Sequence, residues 1–271
     1  MIHEHLLRKQ ASNPFTSAED RQLELLRHFK FGVDRLDELI ALYPGSLTLF
    51  QGDLPRHVLR EFLTNLSVSL LLANPETEIA FVDGANIFPY YEISVEAKRR
   101  GVDPFLILDR IQLSRAFNYH QVTEILTNLL PKLAGERPRV RFVLIPQISS
   151  LHLSEEAAQY LSYDKKPVTA SLFELTSAMG TLKQLAMRYD LVGIMTAANA
   201  PHSTQKALGG TYLAHTATTI VHIETIPGWT RKDYGLVFTL LQDPAKPVTE
   251  IMIPANSQGE EGQPIPLTKF W

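Results

Sequence analysis

The sequence predicts an α/β fold: a mostly parallel central sheet flanked by helices and closed by antiparallel strands towards the carboxy terminus. Three observations predict it. The stretch from Gly45 to Gly84 reads as strand, tight loop, long apolar helix and second strand. Short apolar runs then alternate with segments of helical periodicity as far as Thr196, and from Thr218 strands follow one another without intervening helices. At 271 residues, 45% of them hydrophobic and 20% charged, the chain has the balance of an ordinary globular protein with one sizeable core.

The elements follow in order. Met1 to Pro14 is a polar lead, and its His3 and His5 lack a nearby third ligand, so they read as solvated rather than metal-binding. Thr16 or Ser17 can cap a helix through Leu23, Leu25 and Leu26, with Phe15 just outside it. Val33, Leu36, Leu39 and Ile40 have helical spacing and lead into the turn Pro44-Gly45. Leu47 to Gln51 is a short apolar strand, Pro55 suits the first turn of a helix, and Val58 to Leu72 is apolar almost all round, as in a helix buried against a sheet.

Beyond Gly84, a helix is expected across ANIFPYYEISVEAKRRGV with a stop at Gly101, and ILDRIQLSRAF reads as a strand ending near Arg115. Val122, Ile125, Leu126, Leu129, Leu130 and Leu133 form one amphipathic stripe. Val140 to Ile145 is a buried strand, Ala170 to Arg188 a helix, and Leu191 to Thr196 another strand. TTIVHIE, YGLVFTLL and TEIMI are the closing antiparallel strands, and a Gly/Pro-rich tail follows. The organisation is an arm and linker helix over residues 1–30, a core over 31–254 and a tail over 255–271.

The loop after the first strand sits where a nucleotide-binding βαβ unit carries GxxxxGK[ST], in which backbone N–H groups close on phosphates, a lysine meets their charge and a hydroxyl holds magnesium. Here it reads GDLPRHVL from Gly52. The first glycine is kept, His57 stands for the second, Val58 for the lysine and Leu59 for the hydroxyl. An apolar pair at those two places neutralises no triphosphate and ligates no metal. Arg56 and Arg60 are the nearest cations, one helical turn apart, and a divergent ATPase using one of them is an alternative reading.

The net charge of −3 gives no overall basic field, so any DNA contact must come from a local patch. Cysteine is absent, which removes disulfides, thiol catalysis and cysteine-ligated zinc. No apolar run has the length of a membrane span and MIHEHLLRKQ has no signal-peptide core, so a cytoplasmic protein is expected, or a nuclear one in a eukaryote, with no membrane partner.

Several segments resemble, in order, the RecA-like core of the archaeal and eukaryotic RadA recombinases over about residues 13–254. FTSAED is similar to the Phe-x-x-Ala polymerisation motif that precedes that core. FGVDRLDELIALYPGSLTLFQGD resembles the entry into its first strand, and FVDGANIFPYYEI the family's IDTEGTFRPERI. RRGVDPFLILDRIQLSRAFNYHQ resembles GLDPxxVLDNIxxARAFNxxHQ, a long and specific match, because nothing in a generic α/β unit demands Arg115-Ala116-Phe117-Asn118 followed by His120-Gln121. LGGTYLAHTATTIVHIE is similar to the flank of the second DNA-binding loop, and DPAKPVTEIMI to the proline-bearing cap region.

The resemblance implies a RecA-like P-loop NTPase fold, and carried over residue by residue it also implies lost chemistry. The family's catalytic glutamate falls on Ala85, its metal-organising aspartate on Pro146 and its phosphate-sensing glutamine on Ala198. The expectation is a pseudo-ATPase without nucleotide or metal cofactor, acting as an accessory or assembly protein in homologous recombination and repair. Phe15 and Ala18 are its expected docking residues towards a RecA-like partner or a second copy. Weak single-stranded DNA contact is expected at the second loop, NAPHSTQKAL, through His202 and Lys206 beside Gly209 and Gly210, whereas Lys165 and Lys166 of the first loop read as solvated. A scaffold nearer the KaiC-type branch, outside recombination, is the remaining alternative.

Overall fold

A computed structural model describes residues 28–153, 166–200, 203, 206–227 and 234–254. After α1 (Asp34–Leu39) come β1 (Leu47–Gln51), α2 (Arg56–Ala73), β2 (Glu78–Asp83), α3 (Tyr90–Arg99), α4 (Pro104–Leu108) and β3 (Ile111–Arg115). A long helix follows in two parts, α5 (Tyr119–Glu124) and α6 (Leu130–Glu136), joined by a π turn at Ile125–Leu129. The chain continues through β4 (Val140–Ile145), α7 (Lys166–Tyr189), β5 (Val192–Ala197), α8 (Gly210–Thr216), β6 (Thr219–Pro227), β7 (Tyr234–Gln242) and β8 (Thr249–Pro254).

The strands form one sheet in the order β3-β2-β4-β5-β1-β6-β7-β8. From β3 to β6 all neighbours are parallel, while β6, β7 and β8 pair antiparallel. This is the predicted mostly parallel sheet with an antiparallel extension. β1, β2 and β5 are buried along their whole length, which is why they read as unbroken apolar runs rather than as alternating patterns. One core layer lies under α1, α2 and α3 and centres on Phe50, Phe62, Phe81, Phe142 and Phe238. The other lies under α5, α6, α7 and α8, around Leu49, Leu126, Val143, Met179, Leu182 and Met195.

Four elements depart from the sequence expectation, each for a local reason. Ile107 and Leu108, expected to open a strand, instead end α4, because Pro104 occupies its first turn and Asp103 caps it, accepting from the Phe105 N–H at 3.0 Å. α3 begins only at Tyr90, because the buried Asp83 carboxylate accepts from the N–H groups of Ile87 at 2.9 Å and Phe88 at 3.0 Å and so holds the preceding residues in a turn. The amphipathic stripe of α5 and α6 is interrupted by the π turn just ahead of Pro131, which has no N–H to donate and crowds the turn before it. α8 was not expected as a helix; it opens on Gly209 and Gly210, whose φ values of 112° and 68° turn the chain into it.

The two sheet edges differ. At β8, Arg35 on α1 donates to the Met252 carbonyl at 2.9 Å and covers part of the edge. β3, at the other end, offers an outer edge that pairs with no other described strand.

Candidate functional site

A cleft of about 510 Å³ opens at the carboxyl ends of the parallel strands, lined by the loop from Gly52 to Arg56, Leu59 on α2, Ala85 and Ile87 after β2, Gln147 after β4 and Ala198 after β5. The topology makes it: β1 precedes β2 in sequence, but β5 and β4 separate them in the sheet, so the connections leaving β1 and its neighbours diverge here. The positions singled out in the sequence therefore converge. Gly52, Leu59, Ala85 and Ala198 line the cleft directly, whereas Pro146 lines a separate small hollow with Val82, Ile148 and Leu151.

Gly52 is required by packing, not by a ligand. Its N–H donates to the Ala197 carbonyl at 3.0 Å, and a Cβ there would lie 2.0 Å from the Ile223 carbonyl oxygen. The chain passes too close to β6 for any side chain. The residues at the lysine and hydroxyl places point inward: Val58 is 2% exposed and Leu59 3%, both in the core layer that contains Phe62. His57 is exposed on the first turn of α2.

The two loop-proximal arginines are engaged. Arg56 donates through Nη2 to the Asn86 carbonyl. Arg60 donates to Glu92 Oε1 from Nη2 at 2.6 Å and Nε at 3.0 Å, and reaches the Ile87 carbonyl at 3.4 Å. Both fasten α2 to the segment after β2. The loop also carries Asp53, whose Oδ1 accepts from the Asn199 N–H at 2.9 Å. Gln147, in the left-handed region at φ 51°, donates its N–H to Thr196 Oγ1 at 2.9 Å and accepts from the Ala198 N–H on Oε1 at 3.1 Å. The cleft offers carbonyl, amide and carboxylate acceptors; of the two arginines at its rim, Arg60 is paired with Glu92 and Arg56 is bonded to a backbone carbonyl. Among the described residues, no group of three His, Asp or Glu side chains is placed to hold a metal ion.

Lys206 is exposed on a turn closed by Ala200 N–H to Lys206 O at 2.7 Å, Ser203 N–H to Ala200 O at 3.0 Å and Leu208 N–H to Ala198 O at 2.7 Å. Gly209 packs at its base, where a Cβ would meet Leu213 and Ser149, and Gly210 faces open space, so both serve the backbone. Phe15, Ala18, His202 and Lys165 lie outside the described residues. Asp53, Gln147 and Asn199 were missed, although each sits one step from a position that was singled out: Gly52, Pro146 and Ala198.

Two further features lie away from the cleft. Along the free edge of β3, a pocket of about 280 Å³ is lined by Ala80, Val82, Leu113, Leu129 and Leu133, with Leu113 40% and Leu129 50% exposed. Behind the start of α7, His152 is fully buried, its ring centroid 5.7 Å from that of Tyr119. Burial pushes its pKa down to about 4, outweighing the Ile148 backbone and Glu174, which favour the charged form. His120 meets Glu174 at 3.1 Å across 54 positions of chain.

Residues 64–261 match the family model described as Rad51. The chain belongs to the Rad51 family. The Rad51 match bears out the resemblance to a RecA-like recombinase core and supports a role in DNA recombination and repair at the level of the family. It begins within α2, after the loop from Gly52 to Leu59, and takes in Ala85, Pro146, Ala198 and Lys206. No helix among the described residues is long and apolar enough to cross a membrane.

Proposed function

We propose that this Rad51-family chain is a non-catalytic paralogue, an accessory or assembly protein of homologous recombination that joins a RecA-like partner, or further copies of itself, without turning over ATP. The observation that carries this reading is the fate of the charge at the cleft. Val58 and Leu59 are committed to the core, Arg60 is paired with Glu92, and Arg56, bonded to the Asn86 carbonyl, shares the loop with the carboxylate of Asp53. Each lost charge-assisted hydrogen bond to a phosphate forgoes about 1.5–3 kcal/mol, and several are lost together. Calorimetry with Mg-ATP is expected to show no binding in the micromolar range. A micromolar Kd, or an ATPase turnover abolished by Arg56→Ala, would return the cleft to nucleotide chemistry and favour a divergent ATPase.

Assembly in this reading uses the FTSA segment as plug and the β3 edge as socket. An exposed edge strand can pair with an extended segment, and the pocket beside Leu113 and Leu129, whose apolar lining is joined by Gln112, Lys132 and Glu136, has the size for a phenylalanine ring such as Phe15. A chain carrying both halves associates head to tail, a heterologous contact that repeats into open chains. Single-stranded DNA contact belongs to the turn bearing Lys206, and with one exposed lysine there it is weak.

A further inference from the structure

We propose that Asp53 is a positioning residue that locks the turn bearing Lys206 to the β1–α2 loop, so that the turn is held by the protein's own side chains without a nucleotide. The inference deepens the reading above and rests on it for the role of Lys206.

The two ends of the turn are bonded to each other and fixed to the body at its base. Asn199 bridges Ala207, Ala200 N–H bonds to Lys206 O, and Leu208 N–H bonds to Ala198 O, so residues on its two sides move together. Its direction is therefore set where it leaves β5, at Ala198 and Asn199. Both N–H groups there are taken by side chains from other loops: Ala198 by Gln147 Oε1 at 3.1 Å, from the end of β4, and Asn199 by Asp53 Oδ1 at 2.9 Å, from the end of β1. Gln147 is itself held by Thr196 Oγ1 at 2.9 Å, and its left-handed backbone aims the amide across the strand ends.

The Asp53 contact spans 146 positions of sequence and is the longer-range of the two. A carboxylate accepting a backbone N–H makes a charge-assisted bond, stronger than the neutral amide contact beside it. Asp53 is held in turn by the tight course of its neighbours, with Leu54 N–H bonded to Gly52 O at 3.1 Å and Gly52 N–H to Ala197 O at 3.0 Å. The path from the cleft to Lys206 thus runs Gly52, Asp53, Asn199, Ala207 and Lys206, each step a bond or a peptide link.

The test is hydrogen exchange on the full chain, comparing wild type, Asp53→Ala and Asp53→Asn, each with and without millimolar Mg-ATP. Losing a charge-assisted bond should raise exchange at Asn199, Ala200 and Leu208 about tenfold in D53A while leaving β1 and β5 unchanged. D53N keeps an acceptor oxygen but loses the charge, so its exchange should lie between wild type and D53A. Should D53A not fold, Asp53→Ser, whose shorter side chain cannot reach as far, is read in its place with the same expectation. Unchanged exchange at those three amides overturns the proposal, and so does an increase spread across the whole sheet. Slower exchange on adding Mg-ATP to wild type would instead refute the non-catalytic reading, and the D53A comparison without nucleotide would still decide the lock.

Discussion

At the scale of single residues, the fate of a polar group is decided by what surrounds it, and His152 is the sharpest case. It is fully buried against Tyr119, its carbonyl accepts from the Ser171 hydroxyl, and its ring has a pKa of about 4 against an ordinary 6.5. The sign follows from linkage: the unfolded chain binds the proton more readily, so the neutral ring's contribution is fully present above pH 6.5 and is lost as pH falls towards 4. Between pH 7 and about 5.5 the loss should be about 1 kcal/mol. Urea unfolding at those two pH values should show a slope steeper in the wild type than in His152→Leu by that amount. Equal slopes in the two proteins would show that His152 titrates normally. The same dependence on surroundings governs Val58 and Leu59, whose side chains pack into the core beside Phe62.

At the scale of elements, the asymmetry of the two sheet edges makes a directional prediction. β8 is partly covered by Arg35, whereas β3 is open beside the pocket of Leu113 and Leu129. If β3 receives the Phe15 segment, then Phe15→Glu on the plug and Leu129→Glu on the socket should each lower the oligomeric mass measured by light scattering, or release a recombinase partner in pull-down, with little change in Tm. Burying a phenylalanine contributes roughly 1.5–3 kcal/mol, so association should weaken about tenfold to a hundredfold. Mixing the two variants should restore dimers but not longer chains, because each retains the half that the other lacks. Unaltered assembly in both variants would make Phe15 a local packing residue.

At the scale of the whole molecule, a net charge of −3 and the turn displaying Lys206 set the expected DNA behaviour: weak binding, a shallow dependence on salt, and loss on Lys206→Glu. Tight binding of single-stranded DNA by the isolated chain at about 200 mM salt, unaffected by that substitution, would place the contact elsewhere.

The sequence by itself determined the fold class, the succession of strands and helices, and the loop that carries Val58 and Leu59, because periodicity, apolar runs and motif spacing are written along the chain. Strands β1, β2, β4 and β5 were legible as largely apolar runs, Arg141 in β4 apart, since a parallel sheet is buried on both faces. Where side chains bond to a backbone that is near in sequence but turned in space, legibility ended: Asp83 delaying α3 and Asp103 starting α4 are such cases. Only the tertiary structure decided that Gly52 serves a close passage by Ile223, that Arg56 and Arg60 are spent on the segment after β2, and that Asp53 and Gln147 reach Asn199 and Ala198. Those contacts join residues brought together by strand order, β1 between β5 and β6 and β4 beside β5, and no local pattern encodes which strands become neighbours.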